Sequence, residues 1–225
     1  MFYEVNEIFT SIIGEGRFIG MKAVFVRLSG CNCDCDFCDT DHRNSRETSL
    51  EELHDTINRS MQGFNCVHVI FTGGEALLQD LVPIILLLIK DHENYIQIGI
   101  ETNGLCDISP LLPFCHFIHL GISPKTTRKD MILEEKHVEM FRTRSLKVLY
   151  PDVKSGVFPD HFETYPATWF GVQPIEAEGE IEHVDGHMVI RREFLLRVKQ
   201  LKADLSSLTS KWHISPQIHK FLNMR

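Results

Sequence analysis

A chain of 225 residues with 43% hydrophobic and 24% charged side chains has the composition of one ordinary globular domain, and no Gly-, Ser- or Pro-rich linker divides it. The formal charge of -8 excludes a broad cationic face for nucleic-acid phosphates. The longest apolar run, 81–89, is too short to span a bilayer and contains Pro83, so no membrane span is expected. Seven cysteines, with Glu4 and Glu7 standing where a secretion signal would be basic and then apolar, predict reduced thiols and a cytoplasmic protein.

Residues 2–20 carry Phe2, Val5, Ile8 and Phe9 ahead of Gly14-Glu15-Gly16 and Gly20. No strong strand precedes these glycines and no helical pattern follows, so the context of a dinucleotide loop is lacking. A glycine turn that brings backbone close to a ligand is expected instead. Residues 22–29 alternate as the first strand, with Val24, Val26 and Leu28 on one face and Ala23, Phe25 and Arg27 on the other. If that second face is buried, Arg27 needs an anionic partner, because an unpaired buried charge is costly; an exposed strand face is the alternative.

Next comes the most informative stretch, Cys31, Cys35 and Cys38 in a C-x3-C-x2-C spacing. One irregular loop can point these three soft thiolates at a single inorganic cluster. An electron-carrying 4Fe-4S cluster is normally held by four thiolates; three leave one iron open to bind a ligand. The competing reading is a four-coordinate zinc knuckle completed by His42 or Cys33. Cys33, Cys66, Cys106 and Cys115 are otherwise packing residues.

Thr48-Ser49-Leu50-Glu51 has the form of a capping box, and Leu50, Leu53, Ile57 and Met61 continue at helical spacing. Residues 67–71 form an apolar strand that ends in Thr72-Gly73-Gly74-Glu75, a turn that exposes carbonyls beside a carboxylate and favours an ammonium group. A helix over 81–91 leads to a strand over 95–101 and Thr102-Asn103-Gly104. A segment with Pro110 and Pro113 leads to a strand over 116–122 and Ser123-Pro124-Lys125. A helix near 133–141 and strands over 145–150 and 167–172 follow, the last ending in Gln173-Pro174. The helix over 191–201 is expected to turn Phe194, Leu195, Val198 and Leu201 inward, and 212–224, with Gln217, His219 and Lys220, closes the chain.

Six strands with intervening helices predict an α/β fold with a parallel sheet. Polar motifs recur at the strands' carboxyl ends, the rim that carries catalytic residues in barrel folds. Six strands are too few for a closed eight-stranded barrel, so an open, partial TIM-type barrel is expected. One domain over 1–225 follows, with a core about 22–174 and the segments 1–21 and 175–225 completing the pocket.

The cysteine loop resembles that of radical S-adenosylmethionine enzymes. Glu7-Ile8-Phe9, Gly14-Glu15-Gly16, Arg27, Cys38-Asp39-Thr40, Thr72-Gly73-Gly74-Glu75, Glu101-Thr102-Asn103-Gly104, Ser123-Pro124-Lys125, Leu146-Lys147-Val148, Gln173-Pro174 and Gln217, His219 and Lys220 together resemble the 7-carboxy-7-deazaguanine synthases of queuosine and deazapurine biosynthesis. The resemblance implies a lyase that rearranges 6-carboxy-5,6,7,8-tetrahydropterin to 7-carboxy-7-deazaguanine with loss of ammonia. It implies a 4Fe-4S cluster on Cys31, Cys35 and Cys38, and S-adenosylmethionine on Gly73, Gly74, Glu75, Glu101, Asn103, Ser123, Lys125 and Gln173. It implies Mg2+ between the Thr40 hydroxyl and the substrate carboxylate. Substrate would lie on Ile13, Gly14, Glu15, Arg27, Thr72, Gln217 and His219.

The same resemblance implies an external one-electron reductant of flavodoxin or ferredoxin type and a homodimer, with neither nucleic acid nor membrane as partner. The terminal carboxylate of Arg225 is expected near the site. Ile13 stands where the family often has glutamine, Ala76 where it has proline, and Cys33-Asp34 where bulky apolar residues are common. Two other readings are a glycyl-radical activating enzyme, which shares the cysteine spacing, and a non-enzymatic metal-binding or iron-sulfur protein.

Overall fold

The computed structural model describes residues 1–36, 38, 40–42, 44–93, 95–150, 157–175, 180–184, 187–204 and 211–222. Its main sheet has nine strands: β1 (Phe2–Ile12), β2 (Lys22–Leu28), β3 (Arg46–Ser49), β4 (His68–Gly73), β5 (Gln97–Thr102), β6 (Ile118–Ile122), β7 (Thr143–Tyr150), β8 (Trp169–Pro174) and, after a hairpin of β9 (Ile181–Val184) and β10 (His187–Ile190), β11 (Trp212–Ile214). Their spatial order is β11-β8-β7-β6-β5-β4-β2-β1-β3. From β2 to β11 each strand runs parallel to its neighbour, whereas β1 is antiparallel to both β2 and β3. The sheet is open, and its six central strands are the six predicted from the sequence.

Three differences have local causes. Strand β1 hides in the sequence because its register shifts between Val5 and Glu7, which interrupts the period-2 pattern that marks a strand. Strand β11 has three residues, too few for a period to show. The helix expected near 133–141 is one turn, α3 (Glu135–Val138); its N-cap Glu134 makes no side-chain cap hydrogen bond, and Leu133 and Phe141 are buried from outside the helix.

Helix α1 (Leu50–Phe64) starts at Ser49, whose hydroxyl accepts from Glu52 N at 3.1 Å, one residue later than the predicted cap. It ends where Asn65 adopts a left-handed conformation, φ 49. Leu53, Ile57 and Met61 form its buried stripe. Helix α2 (Val82–His92) tolerates Pro83 in its first turn and buries Ile84, Ile85 and Leu88. In α4 (Arg192–Asp204), Phe194 and Leu201 are buried, but Leu195 is 46% exposed, so that part of the expected inward face is corrected. A last turn, α5 (Ile218–Phe221), follows β11.

Alternation along the strands sorts side chains between two environments. Val24, Val26, Leu28, Val69, Phe71, Ile98, Ile100, Leu120, Ile122, Leu146, Val148 and Val172 share one buried core with the stripes of α1 and α2. Each such side chain contributes roughly 1.5–3 kcal/mol of hydrophobic stabilisation. Residues of the opposite parity, including Arg27, Thr72, Glu101, Lys147 and Gln173, line the other face. That face is the site.

Candidate active site

A cavity of about 380 Å³ occupies the second face of the sheet. Its floor is a small apolar cluster of Ile13, Ala23 and Ile70 with Phe18 and Phe25, separate from the main core. Phe18 meets the buried His119 ring edge-on at 4.9 Å. The glycine turn after β1 therefore closes the bottom of the partial barrel, and its residues Ile13, Gly14 and Glu15 become cavity wall.

Strand register stacks the polar residues in rows. Arg27 pairs with Thr72 across β2 and β4, Glu101 with Gly121 across β5 and β6, and Lys147 with Gly171 across β7 and β8. Gly121 carries no side chain because the Glu101 carboxylate occupies the space where a β-carbon would stand. Burial raises the Glu101 pKa and Lys147 pulls it back. Lys147 is also ion-paired with Glu15, whose second oxygen, Oε2, is buried with no hydrogen-bond partner among the described residues. Gln173 Oε1 is in the same condition.

The anionic partner that Arg27 required is Glu7, on the adjacent β1: Nε donates to Glu7 Oε1 at 2.9 Å, while Nη1 donates to Thr40 Oγ1 at 3.1 Å. The guanidinium also lies over the Phe9 ring, 5.8 Å from its centroid. Ser123 accepts from Lys125 Nζ at 2.9 Å. From the end of the chain, Gln217, His219 and Lys220 complete the wall. Ile218 N donates to Gly14 O at 2.9 Å, which seats His219 on the first glycine of the turn.

Cys31, Cys35 and Cys38 all face this cavity, and Cys38 N donates to Cys35 O at 3.0 Å in a tight turn. No three His, Cys, Asp or Glu side chains among the described residues converge on one point as a mononuclear metal site requires. Thiolates of a cubane cluster each bind a different iron, so they need to line one space rather than meet at one atom. The cavity the three cysteines line is the space such a group would take, and the Gly-Gly turn is pressed against the start of their loop: Gly74 packs so closely on Gly30 and Cys31 that no β-carbon fits, and Gly73, at φ 142, leaves no room over Leu28.

Glu75 does not line the cavity. Its carboxylate is buried and accepts from Asn103 N at 2.7 Å and Leu77 N at 3.1 Å, with its pKa raised by burial against those hydrogen bonds. These bonds tie the Gly-Gly turn to Asn103. Asn103 in turn donates Nδ2 to Asn32 Oδ1 at 2.6 Å and to Cys33 Sγ at 3.4 Å, which fastens the cysteine loop. Every other sequence-predicted site residue, from Ile13 to His219, is on the cavity wall. Arg225 lies outside the described residues.

Sequence reasoning gave no role to Glu7, Lys147, His119 or Lys220. Glu7 belongs to the Glu7-Ile8-Phe9 motif, but its pairing follows only from its register opposite Arg27 beside a bulge. Lys147 is signalled by its parity on β7 between two cavity residues, Ser145 and Leu149. His119 carries no signal that separates it from the chain's other histidines, and Lys220 stands out only as part of the C-terminal motif, which gave it no role.

Three thiolates and a glycine cradle at the carboxyl rim of an open parallel sheet define a radical SAM protein. Residues 25–149 match the radical SAM superfamily profile, which brings with it a 4Fe-4S cluster and S-adenosylmethionine. The chain is 30% identical to the 7-carboxy-7-deazaguanine synthase of Bradyrhizobium diazoefficiens over the full length of both, and 34% identical to that of Aquifex aeolicus over 56% of each chain. Its fold is similar to the crystal structure of QueE from Escherichia coli, with a TM-score of 0.66, 25% identity, and 96% of this chain and 94% of the other covered. The chain belongs to the 7-carboxy-7-deazaguanine synthase family and is a radical SAM enzyme. No helix among its described residues is long and apolar enough to cross a membrane.

Proposed function

We propose that this enzyme converts 6-carboxy-5,6,7,8-tetrahydropterin to 7-carboxy-7-deazaguanine with loss of ammonia, in queuosine or 7-deazapurine biosynthesis. The observation that carries the reading is one cavity shared by the cysteine loop and by Gly14, Glu15, Arg27 and His219. When bound, the cluster and S-adenosylmethionine supply a radical that removes and returns a hydrogen atom.

The chain's own residues bind, orient and enclose. Cys31, Cys35 and Cys38 hold the cluster; Gly73 and Gly74 shape the cradle for S-adenosylmethionine, with Glu101, Asn103, Ser123, Lys125 and Gln173 around it and Glu75 bracing the turn from behind. Arg27, fixed by Glu7 and Thr40, meets the substrate carboxylate with charge-assisted hydrogen bonds. Glu15 accepts from the aminopyrimidine edge, Ile13 and Thr72 bound the ring, and Gln217 and His219 close the C-terminal side. Thr40 offers one hard oxygen beside the cluster loop. Mg2+ is usually bound by few protein oxygens and completed by substrate and water, so Thr40 with the substrate carboxylate is a sufficient set. The enzyme works as one domain and as a homodimer in the cytoplasm, with a flavodoxin-like or ferredoxin-like reductant.

An anaerobic assay of the reconstituted enzyme with reductant, S-adenosylmethionine, Mg2+ and 6-carboxytetrahydropterin tests this by mass spectrometry. Formation of 7-carboxy-7-deazaguanine, lost in C31A and weakened in T40A, is the expected result. If 5'-deoxyadenosine appears alone, the substrate assignment fails.

A further inference from the structure

The Glu15–Lys147 pair is an ion pair inside a cavity, with side chains only 24% and 14% exposed. Such a pair is a weak source of stability, because desolvation of both charges offsets most of their attraction. Its geometry is more informative. Lys147 Nζ donates to Glu15 Oε1, while Oε2 of the same carboxylate is buried without a partner among the described residues. A buried acceptor left unsatisfied is costly, and that cost is removed when a donor arrives. A second carboxylate, Glu101, lies in the field of the same ammonium group. Lys125 is the other cation that acts on Glu101, and Glu75 is the third acid of the group.

We propose that Lys147 is a positioning residue for substrate recognition: its ammonium group holds the Glu15 carboxylate by one oxygen and so presents the other to N–H donors of the bound ring. The inference rests on the function proposed above and adds a residue to it. Lys147 stands on the cavity face of β7 opposite Gly171 of β8, where the Trp169 ring takes the space a β-carbon would need, and from there it reaches Glu15. It joins the glycine turn to β7 across the cavity. Without it, Glu15 and Glu101 face each other's charge with less compensation, and Glu15 loses the bond that fixes its rotamer.

The test compares the parent with K147M, K147R, E15Q and the double variant E15Q/K147M, all carrying their cluster, by steady-state kinetics and by S-adenosylmethionine binding. In K147M the KM for 6-carboxytetrahydropterin should rise about tenfold or more, with the S-adenosylmethionine dissociation constant within about twofold. K147R should recover most of that loss, and E15Q/K147M should be no worse than E15Q alone, since coupled residues are not additive. K147Q, which keeps a neutral donor in place, is read in the same way should K147M not fold. A parent-like KM in the neutral variants overturns the inference, as does an equal loss of both ligands that K147R fails to rescue. If the parent itself binds S-adenosylmethionine but not the pterin, it is the functional reading that falls.

Discussion

The imidazole of His219 occupies the space that a β-carbon on Gly14 would need. The hydrogen bond from Ile218 N to Gly14 O, 2.9 Å long, locks the last turn of the described chain onto the first glycine turn. Two ends of the sequence thus make one wall of the active site.

Replacement of Gly14 by alanine should therefore drive the His219 ring out of the cavity while the sheet stays intact. We expect kcat/KM to fall at least ~10-fold, equivalent to about 1.4 kcal/mol in the transition state. The melting temperature should drop by no more than about 2–4 °C per kcal/mol lost. A glycine-like rate in G14A, measured beside its thermal transition, would show that this contact is incidental.

Cysteine variants should separate cluster ligands from neighbours. C31A, C35A and C38A should each lose cluster iron and its visible absorbance. C33A should retain both, because Cys33 is engaged by Asn103 Nδ2 at 3.4 Å and its own backbone N–H donates to Cys31 Sγ at 3.4 Å. Iron analysis after anaerobic reconstitution reads the difference directly; loss of the cluster in C33A would mean that four thiolates hold it.

Glu7 and Arg27 form a partly buried pair, each side chain 23% exposed. E7Q keeps a hydrogen-bond acceptor for Arg27 Nε but removes the opposing charge. We expect it to cost about 1–2 kcal/mol in urea unfolding, discounted from a fully buried pair by the remaining solvent. Substrate affinity should fall as well, since the bond that aims Arg27 is no longer charge-assisted on both sides. Parent-like values in both measurements would show that the Glu7 charge does not orient Arg27.

His119 supplies a pH dependence of known sign. Burial, aided by Arg17 and His68, lowers its pKa from 6.5 to about 4 in the folded state. Between those values the unfolded chain binds a proton that the folded chain refuses, so stability is present above pH 6.5 and is lost as the pH falls towards 4. The full effect is roughly 3 kcal/mol. H119Q should flatten that limb relative to the parent, leaving a smaller slope from His68, whose pKa is lowered the same way. An unchanged slope in urea titrations across this range would rule out His119 as its source.

Sequence alone determined the six central strands, because alternation with period 2 and continuous apolar runs survive in any context that buries them. It also located the three-cysteine loop, whose spacing is local, and the rim motifs, which end strands. Tertiary structure decided what distance along the chain conceals. It made 2–12 a strand, since the bulge between Val5 and Glu7 breaks the local pattern and only pairing with β2 and β3 satisfies its backbone. It set the buried Glu75 carboxylate on the backbone N–H groups of Leu77 and Asn103, a tie between the end of β4 and the end of β5. And it gave Arg27 its Glu7 and Glu15 its Lys147, pairings that depend on strand register and chain return, which no window of neighbouring residues contains.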